Sequence, residues 1–169
     1  MKEYSIAAIP ADGIGPEVIS AGVDVLHALA ERQGNIRFSV HTFEWGSDYY
    51  KTHGVMMPED GLEQLKAFDA IYFGAVGAPD VPDHITLWGL RLPICQGFDQ
   101  YANVRPTKIL PGIQSPLRKA VPGILDWVIV RENSEGEYSG HGGRAHRGLP
   151  EEVGTEVAIF TRTGVTRIM

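Results

Sequence analysis

Hydrophobic and polar positions along this chain follow two different spacings in turn, which predicts strands alternating with helices. Apolar residues recur at helical spacing over residues 16–32, after an apolar stretch at 4–10 and a glycine turn at 11–15. These segments predict a strand, a turn and a helix, with Pro16 at the first helical position. Short apolar runs predict further strands over residues 37–44, 70–76, 102–109, 126–131 and 156–161. Such alternation indicates an α/β fold with a mostly parallel sheet covered by helices.

One apolar run ends abruptly at Val130 and is followed by charged residues and a glycine over residues 131–138. This pattern is typical of a buried strand that ends at a cleft. A guanidinium at that point, here Arg131, can bind a carboxylate through two parallel hydrogen bonds, and Tyr138 follows on the next loop. The pattern favours a site for a small acidic molecule. On this segment alone, a structural salt bridge beside a surface loop is an equal alternative.

A second arginine strengthens the first of these two interpretations. Arg105 directly precedes Pro106 within the predicted strand over residues 102–109. Because a proline disfavours the helical conformation of the residue before it, Arg105 is expected to be extended, with a fixed direction for its side chain. We therefore expect a second guanidinium at the same cleft.

The turn at residues 12–17, with the sequence DGIGPE, is similar to a glycine turn beneath a nucleotide. It matches neither the G-x-G-x-x-G pattern nor the P-loop, however, and many strand-to-helix glycine turns only make the bend. From the turn alone, both interpretations stay open.

Three segments taken together carry a family resemblance. Residues 10–17 (PADGIGPE), 101–106 (YANVRP) and 130–138 (VRENSEGEY), in this order, resemble the metal-dependent β-decarboxylating dehydrogenases, which include the isopropylmalate, isocitrate, tartrate and D-malate enzymes. Residues 53–58 and 73–89 are more similar to the tartrate and D-malate branch. The resemblance covers essentially the whole chain and implies an isopropylmalate dehydrogenase-like α/β fold.

This resemblance implies an NAD-dependent oxidoreductase that acts on small 2-hydroxy diacids such as tartrate or D-malate, with or without decarboxylation. The family uses Mn²⁺ or Mg²⁺ as a Lewis acid at the substrate, a lysine that takes the hydroxyl proton, and NAD as the hydride acceptor. The alternatives are a 3-isopropylmalate dehydrogenase and a non-catalytic fragment that binds a diacid.

The resemblance also implies roles for individual residues. Arg105 and Arg131 match arginines that bind the substrate carboxylates, and Tyr138 matches a tyrosine that assists protonation of the enolate. The expected cofactor residues are Ile14, on the adenine side, and Val76 and Gly77, beside the nicotinamide ribose. A turn and a strand end explain these last three positions equally well.

Two positions depart from the family pattern. Ala11 stands where the family usually has glycine, and Cys95 stands where it has a third substrate arginine. Arg91 lies four residues before Cys95, hence on the same face of a helix, and is a candidate replacement, although Pro93 is expected to restrict any helix to starting near it. Substrate side groups are distinguished in the family at the positions of three further residues, Trp88, Leu90 and Leu92.

Family members run to roughly twice this length, as expected of two-domain enzymes. We therefore expect residues 1–100 to begin a cofactor-side α/β domain and residues 101–169 to begin a second domain, for substrate and dimer contacts, that is incomplete at its C-terminus. A helix capped by Thr163 would stop after less than two turns. The family's lysine and metal-binding aspartates would lie beyond Met169, which leaves no metal ligands here and predicts that this chain alone is inactive.

Residues 137–156 are too polar and glycine-rich to form a core, and alone they predict a flexible surface loop. The family uses this region as an arm between subunits, which implies a homodimer.

Composition limits the compartment and the kinds of partner expected for this protein. There is no apolar run long enough for a bilayer and no leader, so we expect a cytoplasmic protein without a membrane partner. Cys95 is the single cysteine, which excludes a disulfide within the chain. The net charge of −6 argues against nucleic acid as a partner. Residues 91–169 hold 10 basic and 8 acidic side chains, whereas residues 1–90 hold 5 basic and 13 acidic ones. The arginine-rich half, residues 91–169, is therefore the part expected to bind a diacid.

Overall fold

The computed structural model describes residues 1–169, which divide into two units, Met1–Ile94 and Cys95–Met169. The expectation that the family's two domains begin at residues 1 and 101 stays a prediction.

The first unit is an α/β structure. Its elements are β1 (Lys2–Ala11), α1 (Gly15–Gln33), β2 (Ile36–Thr42), α2 (Ser47–His53), α3 (Gly61–Leu65), β3 (Ala70–Ala75), α4 (Asp83–Thr86), a π-helical turn (Leu87–Arg91) and the first residues of α5 (Leu92–Gly97), which crosses the boundary between the units. The three strands form a parallel sheet in the order β2-β1-β3, with Ile6 opposite Val40 on one side and Ala70 on the other. The predicted α/β fold with a parallel sheet is confirmed here.

The core of this unit lies on the central strand. Ile6 and the three residues after it are at most 8% exposed, and Ile19 of α1 and Leu65 of α3 are also buried. A continuous buried run is expected in a strand that has a neighbour on both edges and is covered on its faces. Helix α1 ends at Gly34, whose left-handed φ of +68° allows its N–H to donate to the Ala30 carbonyl at 2.9 Å.

Helix α5 begins at Leu92, beside Pro93, as expected, yet the helical segment is continuous from Asp83 to Gly97. The π-helical turn accounts for this continuity. The Leu92 N–H donates to the carbonyl of Leu87, five residues back, and the next residue, Pro93, has no N–H to donate. Leu90 and Leu92 are fully buried, which leaves Trp88, at 38% exposed, as the accessible member of the three expected specificity positions.

The second unit is built differently. Its elements are β4 (Ala102–Lys108), β5 (Asp126–Glu132), β6 (Gly136–Ala145), β7 (Val153–Ile159) and α6 (Arg162–Ile168). β4 pairs with β5 and β6 pairs with β7, both antiparallel. Parallel pairing is thus confined to the first unit. Only residues 146–152 join β6 to β7, fewer than the dozen or so that a parallel crossover needs.

The flexible loop predicted from residues 137–156 alone is wrong, because β6 and the start of β7 form a hairpin there. Gly142 allows a close approach in this hairpin, since a Cβ at this position would collide with the Thr155 carbonyl. The strands lack the apolar alternation that predicts a strand because nearly all of their residues are exposed. β7 begins at Val153, three residues before the predicted strand. The last helix is capped by Thr161 rather than Thr163, since the Thr161 hydroxyl accepts the Gly164 N–H at 3.0 Å.

Candidate functional site

The two predicted substrate arginines lie on one face of the β4–β5 ribbon. Arg131 is opposite Asn103, and Arg105 is opposite Ile129. Facing residues share a face, and so do alternate residues along a strand. Arg105 and Arg131 are therefore diagonal neighbours, whose backbones are roughly 7–8 Å apart and whose Cβ atoms are somewhat closer. Two guanidinium groups at this spacing suit an anion that carries two carboxylates.

Tyr138 lies against the second of these arginines. The Arg131 guanidinium carbon is 4.9 Å from the centre of the Tyr138 ring, a cation–π arrangement. The tyrosine backbone is also held, since its N–H donates to the Glu135 carbonyl at 3.3 Å and its carbonyl accepts from Gln96 Nε2 at 2.9 Å. The structure therefore brings Arg131 and Tyr138 together, while their roles toward a ligand stay predictions.

The turn between these two residues is ordered by its own polar groups. Glu132 Oε1 accepts from the Ser134 hydroxyl at 2.6 Å, from the Ser134 N–H at 2.9 Å and from the Glu135 N–H at 3.2 Å. Asn133 is 4% exposed, and its N–H donates to the Tyr101 carbonyl at 2.8 Å. The segment after Arg131 is thus a fixed turn.

Arg167 of α6 anchors this turn from outside. Its Nη2 donates to the Ser134 hydroxyl at 2.7 Å and lies 3.5 Å from Glu132 Oε1, while Nη1 donates to Asp99 Oδ1 at 3.0 Å. Its guanidinium lies 4.4 Å from the centre of the Tyr101 ring. Burial alone would raise the pKa of Glu132, but the hydrogen bonds from Ser134 and Glu135, with the charge of Arg167, outweigh it and hold this pKa below its usual value.

Glu135 joins the same turn to the start of α6. Its carboxylate accepts from the Thr161 hydroxyl at 2.6 Å and from the Thr161 N–H at 2.9 Å. The hydroxyl bond is the largest cause of a lowered pKa at Glu135. Sequence reasoning missed Glu132, Glu135 and Arg167 as supports of the site. The available signal was the presence of two glutamates within four residues after Arg131. Their partners outside the turn, Thr161 and Arg167, lie far away in sequence.

In the first unit, Asp12 joins the two segments predicted to contact the cofactor. Its carboxylate is buried and accepts from the Gly77 N–H at 2.9 Å, the Ser47 hydroxyl at 2.7 Å and the Ser47 N–H at 2.8 Å. Ile14, on the same turn as Asp12, is 58% exposed, while Val76 precedes Gly77 and is half-buried. The structure thus links the predicted adenine-side turn to the predicted ribose-side loop, through a residue whose role was not predicted.

Gly77 is required by its backbone conformation, since its φ is +129°. Its N–H is already engaged by Asp12, so it is not a donor for a ligand. No atom lies within 4 Å of the position that a Cβ would take at Gly77 or at Gly13. Ile14 is thus an exposed apolar side chain, and the Cβ positions of Gly13 and Gly77 face open space.

The departure at Ala11 has a conformational consequence. Its φ is +54°, in the left-handed region that favours glycine. A residue with a Cβ costs about 1 kcal/mol more than glycine there, which explains why a related sequence would carry glycine at this position.

Arg91 and Cys95 are both half-buried and lie on the same helical segment, one turn apart. The transfer of a substrate-binding role from position 95 to Arg91 stays a prediction. No group of three or more His, Cys, Asp or Glu side chains is arranged to hold a metal ion. The helices include none with the length and apolar character of a membrane span.

Comparisons with known proteins agree with this architecture. The family model for isocitrate/isopropylmalate dehydrogenases matches residues 5–169. A probable tartrate dehydrogenase/decarboxylase of Agrobacterium vitis is 82% identical over 169 residues, which are 100% of this chain and 47% of the relative. The D-malate dehydrogenase (decarboxylating) of Escherichia coli is 54% identical over 171 residues, covering 100% of this chain and 47% of that enzyme. The chain therefore spans about half the length of the curated relatives it matches.

Solved structures show the same relationship. Isocitrate dehydrogenase from Methylococcus capsulatus superposes with a TM-score of 0.74 at 27% identity, over 98% of this chain and 45% of that one. A β-decarboxylating dehydrogenase from Thermococcus kodakarensis gives a TM-score of 0.61 at 35% identity, over 98% of this chain and 43% of that one. With the family model covering nearly every residue, the chain belongs to the isocitrate/isopropylmalate dehydrogenase family.

Proposed function

We propose that this chain is part of an NAD-dependent, metal-dependent dehydrogenase of small 2-hydroxy diacids, with tartrate or D-malate as the first candidates. The observation that carries the proposal is the pair of arginines on one face of the β4–β5 ribbon, with Tyr138 against one of them. The similarity to tartrate and D-malate dehydrogenases supports the choice of substrate class.

In this proposal the substrate is held by its two carboxylates. Arg105 is exposed and Arg131 is half-buried on the shared face, so a small diacid can meet both guanidinium groups. Each would form charge-assisted hydrogen bonds, which are about twice as strong as neutral ones. A monoacid would leave one guanidinium without its partner.

Tyr138 would supply the proton that the product carbon receives when a β-carboxylate leaves. The Arg131 stack and the two backbone hydrogen bonds hold Tyr138 beside Arg131, to which the substrate carboxylate would bind. NAD would rest against Ile14, Val76 and Gly77. When bound, NAD accepts the hydride, and Mn²⁺ or Mg²⁺ acts as a Lewis acid at the substrate oxygens. The chain has no group of three or more His, Cys, Asp or Glu side chains arranged to hold that metal.

We also infer a homodimer formed through the β6–β7 hairpin. This hairpin carries exposed apolar side chains, with Leu149 at 55%, Val153 and Val157 at 51% and Ile159 at 38% exposure. Several exposed apolar groups on one hairpin are typical of an interaction surface. In solution the native gene product should have twice the mass of its own denatured polypeptide, whereas a mass equal to that of the denatured polypeptide would contradict this part of the proposal.

The test is an assay of NADH formation by the native gene product that contains these residues. Tartrate stereoisomers and D-malate are expected to give NADH in the presence of Mn²⁺ or Mg²⁺ and none after chelation of the metal. Tyr138→Phe keeps the aromatic ring, so it should lower kcat strongly with little effect on the KM for the diacid. A preference for 3-isopropylmalate would shift the proposal to the alternative substrate. Binding of diacids without turnover would leave only a binding function.

A further inference from the structure

Asp12 makes more structural connections than any residue that the sequence assigned to the cofactor. Its carboxylate accepts three hydrogen bonds, one from the loop after β3 and two from the start of α2. Its backbone N–H donates to the Ala75 carbonyl at 2.7 Å, and its carbonyl accepts the Gly15 N–H at 2.8 Å. We call Asp12, Ser47, Ala75 and Gly77 the Asp12 junction. It connects β1, α1, α2 and the end of β3.

The junction is packed too tightly for the carboxylate to move. A Cβ on Gly46 would come within 2.9 Å of Asp12 Oδ1 and within 3.1 Å of the Ala11 Cα. A Cβ on Gly15 would approach the Ala75 nitrogen to 2.9 Å and collide with the Pro10 carbonyl. These approaches are shorter than ordinary van der Waals contact, so glycine is needed at both positions and the surrounding backbone is fixed.

The ligand-facing side of the junction is open. The Gly77 N–H points to Asp12, and no atom lies within 4 Å of the place where a Gly77 side chain would be. On the other segment, Ile14 is 58% exposed. Ile14 is therefore exposed and the Cβ position of Gly77 faces open space, while the Asp12 carboxylate that joins their two segments is buried.

We propose that Asp12 is a positioning residue for the cofactor, which holds the Val76–Gly77 loop in place relative to the turn that carries Ile14. The inference rests on the proposed NAD dependence. Asp12 does not touch the cofactor. It lowers the cost of binding by fixing the loop conformation before the cofactor arrives.

A purely structural role predicts something different. If Asp12 only stabilised the fold, then removing any of its hydrogen bonds would lower thermal stability without a selective effect on NAD. If it positions the loop, only the loss of the Gly77 bond should matter for NAD. The two kinds of bond end at different partners, so single substitutions separate them.

The experiment compares Asp12→Asn with Ser47→Ala in the native gene product. The asparagine has nearly the size of the aspartate but carries no charge, and its NH2 group faces either the Ser47 N–H or the Gly77 N–H. The Gly77 bond is therefore either lost or no longer charge-assisted. Ser47→Ala removes only the 2.7 Å hydroxyl bond and leaves the Gly77 bond intact. Both variants should lose thermal stability.

We expect Asp12→Asn to raise the KM for NAD about tenfold, in keeping with the loss of one charge-assisted hydrogen bond. The KM for the diacid and kcat should stay within about twofold. Ser47→Ala should leave the KM for NAD within about twofold. The proposal fails if Asp12→Asn leaves the KM for NAD unchanged, or if Ser47→Ala raises it equally. If Asp12→Asn does not fold, Asp12→Ala avoids the donor–donor contact and is expected to give the same selective rise.

A second readout keeps this inference separate from the proposed function. Amide hydrogen exchange in residues 76–79, measured without substrate, should be faster in Asp12→Asn and unchanged in Ser47→Ala. Calorimetric titration with NAD should show the same tenfold loss of affinity in Asp12→Asn. If the wild-type product binds NAD but oxidises no diacid, the proposed function fails while these two measurements still decide the role of Asp12. Unchanged exchange and affinity in Asp12→Asn would overturn it.

Discussion

Replacing Arg167 with methionine removes the support behind the Arg131–Tyr138 turn. The bond to Ser134 is charge-assisted, short and partly buried, and bonds of this kind contribute about 1.5–3 kcal/mol. The bond to Asp99 contributes less, about 0.2–1 kcal/mol, because that carboxylate is 72% exposed. Glu132, at 16% exposed, would also lose its cation. We expect a total loss of about 3 kcal/mol in the local stability of the turn.

The assay is amide hydrogen exchange under native conditions, which reports the free energy of local opening. Amides of β5 and residues 133–136 should exchange roughly a hundredfold faster in Arg167→Met than in the wild type. Arg144→Met is the control, since Arg144 pairs with Glu152 at 3.1 Å but is 68% exposed, and its loss should change exchange little. A change below about threefold in Arg167→Met would refute the reasoning that this arginine holds the turn.

Two further predictions test the backbone and the pH dependence. Gly77→Ala should destabilise the first unit by about 3 kcal/mol and Gly34→Ala by about 1 kcal/mol. Both added Cβ atoms have open space, so the difference comes from the backbone, whose φ is +129° at Gly77 and +68° at Gly34. Equal losses of stability in urea unfolding would contradict this prediction. Glu135 has a lowered pKa in the folded state, mainly because of the hydrogen bond from the Thr161 hydroxyl. Its contribution to stability is therefore complete at pH values above its pKa in the unfolded chain, and it is lost as the pH falls through its pKa in the folded state. Thr161→Val should flatten the loss of stability between about pH 5 and pH 3, and an unchanged slope would show that this bond does not set it.

Local patterns in the sequence predict β1 and α1 to within two residues. The predicted strand over residues 4–10 is observed as Lys2–Ala11, and the predicted helix over 16–32 as Gly15–Gln33. Both follow from apolar periodicity and from Pro16, which are properties of neighbouring residues. The conformation of Arg105 was also predictable, since the proline after it favours a strand and the structure has one.

The supports of the site were not predictable by these means. Asp12 meets partners 35 and 65 residues away, and Arg167 meets partners 33 and 68 residues away. No periodicity or spacing rule connects such positions, because the fold alone brings them together. The β6–β7 hairpin was missed for another reason, since its glycine-rich, exposed strands have no buried face to produce an alternating pattern.

The most direct test of the central claim is the discrimination between a diacid and a monoacid. D-lactate differs from D-malate by the absence of the second carboxylate, so the wild-type gene product should strongly prefer D-malate. Arg105→Gln removes an exposed guanidinium from the shared face. It should lower kcat/KM for D-malate by about 10–100-fold and leave the value for D-lactate nearly unchanged. An equal loss for both acids, or no loss for D-malate, would contradict the claim that the two arginines bind the two carboxylates.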